Sequence, residues 1–536
     1  MENILLTLDN FSAAIVENKK LGGRILNTVE AIKNSGFNII KAKVPGNTEL
    51  DMIAAGLIDF DPYFGTNIFK MQDYENIHTI YFTEFDAPDT ESKLCFDGID
   101  TIADIYINGK LLKSTDNMYI GYEIPLFDLR SKGNELVVHI KPAMIEARKT
   151  ELPLVCNSLT YGYSSLYIRK AAHMYGWDIM PRIVSSGIWK PVYIKEVKKD
   201  RIKDAYVYTL GINRNNSTAR LSAFCTLEVS EDKIQDYTLE IKGVCGDSTF
   251  EGKQTLFSHC VRIEMDVKDC KYWWPRYAGE QNLYSVDITL KYKGDVVDTH
   301  HLETGIRTTE LVRTNTTDKN GNGDFCFKVN GERIFAMGSN WVPLDPFHSK
   351  DAERLERSFE LLYDVGSNVV RCWGGNVYES DEFYSLCDKH GIMVWQDFAM
   401  GCAVYPPEKK FYDMLEEEIV YTIKRLRNHP SIVLWAGDNE GDYAYMSWGG
   451  MTRNPDKNIV TRKVVAELCE AHDFTRPYLP SSPYITEETM RTGADTSEDH
   501  LWGPRDYFKG NYYKNTVCHF ASETGYHCVP SPESLK

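Results

Sequence analysis

The second half of this 536-residue chain repeats one unit, a short apolar run followed by a helical pattern. The unit occurs four times in succession, with the run and its helix at 333–340 and 350–365, 368–373 and 380–390, 392–398 and 408–428, and 432–435 and 456–472. Repeated βα units favour a parallel sheet, because each helix carries the chain back to start the next strand in the same direction. From about residue 311 the sequence therefore predicts a (β/α)8 TIM barrel.

Three further runs continue this pattern and predict the fifth, sixth and seventh barrel strands at 478–482, 500–503 and 517–522. No segment is left for an eighth strand before Lys536. An open barrel would expose the apolar edges of its strands. We therefore assign residues 311–536 to an incomplete barrel, and we expect either a truncated product or a partner chain that completes it.

Two all-β domains are predicted before the barrel, because short strand-like runs recur there at hairpin spacing. Asn108-Gly109 joins two such runs and favours a tight hairpin turn. Residues 1–197 are predicted to form a β-sandwich that includes one helix over 21–34. Residues 198–310 are predicted to form an immunoglobulin-like β-sandwich.

Charge and composition exclude several classes of function. A net charge of −17 at pH 7 argues against nucleic-acid binding, which needs a basic surface to neutralise phosphates. The sequence contains no run of about 18 apolar residues, so we predict no membrane span. The first residues lack the basic and apolar regions of a signal peptide. The 13 cysteines are scattered without a CxxC pair. We therefore expect reduced thiols, no metal site and a cytoplasmic protein.

Two glutamates follow predicted barrel strands. Glu440 stands after the run 432–435 and a small-residue turn, and Glu523 follows the run 517–522. The carboxyl ends of barrel strands meet at one face, where the active sites of such folds lie. Two carboxyl groups about 5–5.5 Å apart on this face would act as acid/base and nucleophile in the retaining hydrolysis of a glycosidic bond.

The acid of such a pair must keep its proton near neutral pH, so its pKa must be raised by burial or by a nearby negative charge. We expect Trp435 and the facing glutamate to have this effect on Glu440. Trp395 lies inside an apolar run and is predicted to be a core residue. His519 and His527 flank Glu523, and we interpret both as structural rather than catalytic.

The segments around both glutamates resemble glycoside hydrolase family 2, and within it the β-mannosidase branch. Trp435-Ala-Gly-Asp-Asn-Glu440 is similar to the acid/base motif Trp-x-Gly-Asn-Asn-Glu, and Ser522-Glu-Thr-Gly525 to the nucleophile motif Ser-Glu-Phe-Gly. The resemblance covers nearly the whole chain, with further matching segments at 44–46, 55–58, 62–67, 169–178, 186–192, 273–284, 305–308, 371–379 and 394–398. It implies a jelly-roll, sugar-binding-like first domain, an immunoglobulin-like second domain and a TIM barrel.

The resemblance also implies roles for individual residues in an exo-acting retaining β-glycosidase. Glu440 resembles the general acid/base and Glu523 the nucleophile. Asn439 resembles the amide that holds the sugar 2-hydroxyl, a contact expected to tighten in the transition state. Arg371 resembles the arginine that pairs with the nucleophile and keeps it ionised, although an ion pair within the barrel is the structural alternative.

Aromatic residues are implied as walls of the sugar pocket. Trp373 and Trp448 resemble the walls around the terminal sugar, and Trp177-Asp178 resembles a pair that reaches across from the first domain. Each has a structural alternative: Trp373 as barrel filler, Trp448 as the cap of a loop, and Trp177-Asp178 as a domain contact.

Three departures from the branch leave the sugar open. Asp438 replaces an Asn and Thr524 replaces a Phe, and Asp178 is followed by Ile-Met-Pro instead of Trp-Gly-Pro. Asp438 could contact an amino sugar or be a solvated turn residue. We expect an oligosaccharide or glycoside substrate, no cofactor, and either a homodimer or the partner chain described above. The alternatives are a glucosaminidase, galactosidase or glucuronidase of the same family, or an inactive carbohydrate-binding protein.

Overall fold

The computed structural model describes residues 3–159, 162–446, 454–503, 507, 509–525 and 532–533. The first domain is a β-sandwich whose two antiparallel sheets enclose one apolar core. The larger sheet runs in the order Asn38–Lys43, Asn10–Glu17, Ile77–Phe85, Asn134–Ile140, Ala103–Ile107 and Lys110–Thr115. The smaller sheet runs in the order Ile4–Thr7, Val192–Glu196, Ser92–Phe96 and Tyr122–Pro125.

The predicted hairpin of this domain is present, and the predicted helix over 21–34 is wrong. Asn108 and Gly109 both have a positive φ, which the two-residue hairpin turn requires. The helical segments of the domain are Asn18–Leu21, Val29–Lys33, Thr48–Ala54 and Ala143–Ala147, with 3-10 turns at Gly65–Tyr74, Tyr163–Ser165 and Ala172–Tyr175. Gly22 ends the first helix in the left-handed conformation, and Thr28 caps a new one, so no helix crosses 22–28.

The second domain is an immunoglobulin-like sandwich of seven antiparallel strands. One sheet contains Arg201–Asn213, Thr218–Glu228 and Cys260–Val267, and the other contains Ser248–Thr255, Tyr237–Cys245, Tyr284–Tyr292 and Asp295–Thr304. Arg307 follows this domain and donates to the backbone oxygens of Pro430 and Ile432, at the start of a barrel strand. The second domain therefore packs against the amino end of the barrel.

The barrel domain begins with the antiparallel strands Thr309–Arg313, Phe325–Val329 and Glu332–Ile334, which cover its amino end. Seven parallel strands follow within the described residues: β1 (Gly338–Trp341), β2 (Val369–Cys372), β3 (Met393–Asp397), β4 (Ile432–Ala436), β5 (Tyr478–Leu479), β6 (Glu498–Leu501) and β7 (Phe520–Thr524). Strands β1 to β5 pair in chain order, and β6 pairs with β7. The predicted fold class is confirmed, and the seven predicted strands are present in their chain order, in one sheet of five and one of two.

Helices cover the outside of this sheet. They are α1 (Asp351–Asp364), α2 (Asp381–His390), α3 (Lys409–Leu426), α4 (Gly441–Met446), α5 (Ala466–His472), α6 (Glu487–Thr492) and α7 (Asn511–Lys514), with a π-helical turn at Val460–Val465 before α5. The predicted helix over 456–472 is thus divided into several segments. None of the helices in the described part of the chain combines the length and apolar character needed to cross a membrane.

The first domain lies against the carboxyl end of the barrel and its α3 helix. A buried ion pair joins them, because the Arg169 guanidinium donates to both oxygens of Glu418 at 2.7 and 2.8 Å. Asn117 of the first domain and Tyr378 of the barrel also donate to Glu418. This arrangement places the loops of the first domain beside the face where the predicted site residues lie.

We expect Arg169→Met to destabilise the protein by about 3–5 kcal/mol, because it leaves the Glu418 carboxylate buried and unpaired. Urea unfolding monitored by tryptophan fluorescence measures this loss. Arg220→Met is the matched control, since it removes the exposed ion pair with Glu264 and should leave the unfolding midpoint unchanged. Equal shifts in the two variants would contradict the importance of this domain contact.

Candidate active site

The residues with predicted catalytic roles meet at the carboxyl face of the barrel. Arg371 lies in β2, Asn439 and Glu440 follow β4, and Glu523 lies in β7. Strands β2 and β4 are buried, with Ile432 to Ala436 of β4 fully inaccessible to solvent, whereas β7 is partly exposed. The apolar runs therefore form the wall, and the polar residues at their ends form the site.

The turn after β4 holds Glu440 in an uncommon backbone conformation. Glu440 has a φ of 59°, in the left-handed region that residues other than glycine seldom occupy. Its amide donates to the Ser482 carbonyl at 2.9 Å, and its carbonyl accepts from the Ala444 amide at 3.1 Å. Such strain persists only where surrounding contacts over-determine it, as at many functional sites.

The carboxylate of Glu523 is held by two donors. Arg371 Nη1 donates to Oε1 at 2.8 Å, and Trp502 Nε1 donates to Oε2 at 2.8 Å. Burial acts to raise the pKa of Glu523, but the positive charges of His500 and Arg371 and the hydrogen bonds outweigh it and hold the pKa below its ordinary value. Glu523 is therefore an ionised carboxylate at neutral pH, the state a nucleophile needs.

His500 lies between the two glutamates. Its Nδ1 is 2.7 Å from Glu440 Oε1 and 3.3 Å from Glu523 Oε2. Burial acts to lower the pKa of His500, but the charge of Glu523 and the hydrogen bond to Glu440 outweigh it, so the pKa lies above its ordinary value. The two carboxylates are thus connected through one imidazole that tends to be protonated.

The spacing of the carboxyl groups matches a retaining geometry. One oxygen of Glu440, one of Glu523 and a ring nitrogen of His500 all lie within 4.8 Å of one another. Retaining glycosidases separate their carboxyl groups by about 5–5.5 Å, whereas inverting ones leave about 6.5–9.5 Å for a water. Within the described residues, this is the one group of three side chains whose potential metal-ligand atoms converge, and mutual hydrogen bonds already use those atoms.

Arg371 connects five strands of the barrel. Besides Glu523, its guanidinium donates to Asp397 of β3 at 2.7 Å, Asn439 after β4 at 2.8 Å, and Asn340 of β1 at 3.1 Å. Arg371 is buried, and its pKa is raised by Asp397 and Glu523 against the effect of burial, so it stays charged. The barrel ion pair and the contact with Glu523 are both present, so the two interpretations of Arg371 coexist.

The second oxygen of Glu440 contacts a thiol rather than Trp435. The prediction that Trp435 provides the apolar surroundings of Glu440 is therefore wrong. Cys402 Sγ lies 3.2 Å from Glu440 Oε2 and 3.4 Å from Asn439 Nδ2. The Trp435 indole points into the helix layer, where it stacks on Phe398 and donates to Asp473. Alternate side chains of a strand face opposite sides, so the residue nearest to Glu440 in an apolar run need not share its environment.

The predicted aromatic walls are partly brought together. Trp177 of the first domain contacts Trp373 at a ring-centroid distance of 4.9 Å with an interplanar angle of 71°. Trp373 is buried, Trp177 is half-buried and Asp178 is exposed. Trp448 and His527 lie outside the described residues. His519 Nε2 donates to the backbone carbonyl of Gly321 at 2.9 Å rather than contacting the glutamates. Trp395 is a buried residue next to Phe325.

Asp438 is neither a solvated turn residue nor free for a sugar. Its Oδ1 accepts from the Gly441 amide at 3.0 Å and from Ser481 Oγ at 2.5 Å, and its Oδ2 accepts from Asn458 at 3.1 Å. It is 1 % exposed. Burial raises the pKa of Asp438 to about 7, so the buried group carries a proton in a large fraction of molecules at neutral pH.

Sequence reasoning missed three side chains that contact the glutamates. They are His500, Trp502 and Cys402. The available signal was that His500-Leu-Trp lies in the sixth predicted strand, which belongs to the same barrel as the strands before Glu440 and Glu523. Cys402 carried no such signal, because it lies in a loop and reads as a buried thiol.

Comparison with known proteins gives matches along most of the chain. Three family models match consecutive segments: "Glycosyl hydrolase 2 galactose-binding domain-like" at residues 27–190, "Glycosyl hydrolases family 2" at 201–307, and "Glycosyl hydrolases family 2, TIM barrel domain" at 323–478. The matches follow the order of the two sandwiches and the barrel.

Individual relatives are similar over the whole chain. Beta-mannosidase B of Thermothelomyces thermophilus is 31% identical over 524 residues, covering 92% of this chain and 60% of the relative. Beta-mannosidase of Mus musculus is 31% identical, covering 93% and 60%. The crystal structure of Beta-D-Mannosidase from Dictyoglomus thermophilum superimposes with a TM-score of 0.86 at 33% identity, covering 99% of this chain and 64% of that one. The chain thus spans about three fifths of the length of these relatives.

The buried carboxyl of Asp438 predicts a pH-dependent stability. Its pKa is about 7 in the folded protein and about 3.9 in an unfolded chain, so its contribution to stability is present below about pH 4 and lost as the pH rises to about 7. Asp438→Asn carries no charge and keeps the oxygen that accepts from Gly441 and Ser481.

We expect Asp438→Asn to raise the melting temperature at pH 8 by on the order of a few °C, and to give no gain at pH 4.5. Differential scanning fluorimetry at both pH values measures this difference. Asp413→Asn, which changes a carboxylate on the exposed face of α3, serves as control and should show no such pH dependence. The same shift at both pH values in Asp438→Asn would exclude the buried proton as its cause.

Proposed function

Because the chain belongs to glycosyl hydrolases family 2, we propose that it is an exo-acting retaining β-glycosidase, most like a β-mannosidase. The observation that carries the proposal is the pair Glu440 and Glu523, with carboxylate oxygens within 4.8 Å and Arg371 bonded to Glu523. The curated relatives are named as β-mannosidases, which favours a β-linked mannoside as substrate.

In the first step the ionised Glu523 attacks the anomeric carbon of the terminal sugar. The bond from that carbon to the leaving oxygen breaks, and Glu440 gives its proton to that oxygen. Arg371 and Trp502 hold the attacking carboxylate in place, so little reorganisation is needed when it loses negative charge to the new bond.

In the second step a water molecule replaces the aglycone. Glu440, now a carboxylate, takes a proton from the water, the water oxygen bonds to the anomeric carbon, and Glu523 leaves as a carboxylate. The sugar is released with its original anomeric configuration. Each glutamate returns to its starting protonation state, so the cycle needs no further reactant.

The remaining site residues would bind the sugar. Asn439 is fixed by Arg371, and we propose that its amide contacts the 2-hydroxyl. Trp373 and Trp177 form a corner between the barrel and the first domain. A corner built from two domains suits an enzyme that binds one terminal sugar. We propose Asp178 and Trp448 as further contacts with that sugar.

Alternatives within the family differ in the sugar. The interpretation of Asp438 as an amino-sugar contact loses its support, because protein donors occupy both of its oxygens. A glucosaminidase, galactosidase or glucuronidase remains a different outcome of the same assay, and so does a carbohydrate-binding protein without turnover. Release of 4-nitrophenol from a panel of β-glycosides distinguishes these readings, with the β-mannoside expected to react fastest.

The acid role of Glu440 predicts that Glu440→Gln depends on the leaving group. For an unactivated aglycone such as a simple alcohol, kcat/KM should fall by about 10²–10⁴-fold. For a dinitrophenyl glycoside, whose leaving oxygen needs no proton, the loss should be far smaller. Steady-state kinetics with both substrates measure this, and equal losses would rule out the acid role.

The nucleophile role of Glu523 predicts that Glu523→Ala loses covalent labelling by a 2-deoxy-2-fluoro-mannosyl fluoride. Intact-protein mass spectrometry should show one added sugar on the wild type and none on the variant. Glu440→Gln is the matched control and should still be labelled, because fluoride departs with little help from an acid. Labelling of Glu523→Ala would assign the nucleophile to another residue.

A further inference from the structure

A chain of hydrogen bonds continues from His500 away from the two glutamates. His500 Nε2 lies 3.1 Å from Ser482 Oγ, and the Ser482 hydroxyl donates to Glu498 Oε1 at 2.7 Å. The hydroxyl of Ser522, the residue before Glu523, donates to the same oxygen. All of these side chains are buried. They connect the ends of β5, β6 and β7 behind the site.

The direction of these hydrogen bonds determines which nitrogen of His500 carries a proton. The Ser482 hydroxyl has one hydrogen, and Glu498 accepts it. With Glu498 as a carboxylate that accepts from both serines, the Ser482 oxygen is left to accept from His500, which assigns a hydrogen to Nε2. The bond made by one ring nitrogen fixes the state of the other, so Nδ1 is left to exchange a proton with Glu440 Oε1 at 2.7 Å.

We propose that Ser482 and Glu498 are positioning residues that keep Nε2 of His500 protonated and so reserve Nδ1 for sharing the acid proton with Glu440. This inference rests on the proposed function, since it concerns the proton that Glu440 delivers. The proton count is the same in both forms of the pair. Either Glu440 is a carboxylic acid donating to a neutral imidazole, or it is a carboxylate accepting from an imidazolium.

Glycosidic cleavage takes that one proton from the pair. After the leaving oxygen has received it, Glu440 is a carboxylate and His500 is neutral with its hydrogen on Nε2. The attacking water then returns one proton to Glu440, which restores the starting state. Glu498 and Ser482 neither gain nor lose a proton in the cycle, which makes their role positional.

The charges around His500 favour a retained proton. Four carboxylates and one cation face it from β2, the β4 turn, β6 and β7: Glu440, Glu498, Asp499, Glu523 and Arg371. Tyr443, Arg313 and Cys518 face Glu498 from its other sides. The carboxylates around the ring outnumber the one cation, which agrees with the raised pKa of His500.

The test compares Ser482→Ala with Ser431→Ala. Ser431 is a buried serine before β4 whose hydroxyl has no hydrogen-bond partner among the described residues, so its removal should leave the pH profile unchanged. In Ser482→Ala the shared proton is held less firmly. We expect kcat/KM for an unactivated aglycone to fall by about 10–100-fold and its basic limb to move to lower pH, with less than about 3-fold change for a dinitrophenyl glycoside.

A merely structural role of Ser482 would lower the rate for both aglycones alike and leave the basic limb in place, which would overturn the inference. If the wild type hydrolyses no glycoside, the proposed function is wrong. The inference is then also wrong, and no variant needs to be compared. Hydrolysis by the wild type with identical profiles for the two serine variants would overturn the inference alone.

A spectroscopic measurement covers the case in which Ser482→Ala does not fold. Wild-type protein labelled with ¹⁵N-histidine should show a protonated Nε2 for His500 across the neutral range, with the signal assigned by its loss in His500→Asn. Glu498→Gln keeps an oxygen that accepts from Ser482, so it should preserve this tautomer. A wild-type signal with a bare Nε2 and a protonated Nδ1 at neutral pH would contradict the inference directly.

Discussion

A buried guanidinium cannot stand alone in a protein interior, and the carboxyl face of this barrel is arranged around that constraint. Arg371 is 4 % exposed and is neutralised by Asp397 and Glu523, while Asn439 and Asn340 accept its remaining hydrogens. These partners come from β1, β3, the β4 turn and β7. One charge therefore helps to set the positions of the side chains that would hold and attack a sugar, because removing either carboxylate would leave the buried charge only partly neutralised.

A second buried ion pair holds the first domain against the outer part of the site. Glu418 on α3 accepts from Arg169 and Asn117 of the first domain, so the loops that follow Arg169 are held against the barrel. Those loops carry Trp177 onto Trp373. The second domain meets the amino end instead, through Arg307, and leaves the catalytic face to the first domain. The proposed sugar pocket consequently involves two domains, although both proposed catalytic groups belong to one.

Much of this arrangement follows from sequence patterns, and the exceptions have physical reasons. The strands of the barrel and the placement of Glu440 and Glu523 follow from apolar runs that end in polar residues, a strong pattern. The predicted helix over 21–34 does not form, because Gly22 and Gly23 both adopt left-handed conformations, which end a helix whatever the apolar spacing predicts. The prediction that Trp435 lies beside Glu440 was wrong, because neighbouring residues of a strand face opposite layers. His500 was missed because one histidine in a short strand has no spacing partner, and only the folded sheet brings it to both glutamates.

The proposed roles give two chemically identical side chains opposite tasks, and their partners in the structure differ accordingly. Glu523 accepts from an arginine and an indole N–H, neither of which can take a proton, and His500 Nδ1 lies farther from it, at 3.3 Å, than from Glu440, at 2.7 Å. Glu440 contacts a thiol and an imidazole nitrogen, and the imidazole can accept a proton as well as donate one. The fixed donors on Glu523 therefore suit its proposed role as nucleophile, and the shorter contact with an exchangeable partner suits Glu440 as the proposed acid/base. The asymmetry arises from which strands supply the neighbours, so it is a consequence of the barrel order rather than of the glutamates themselves.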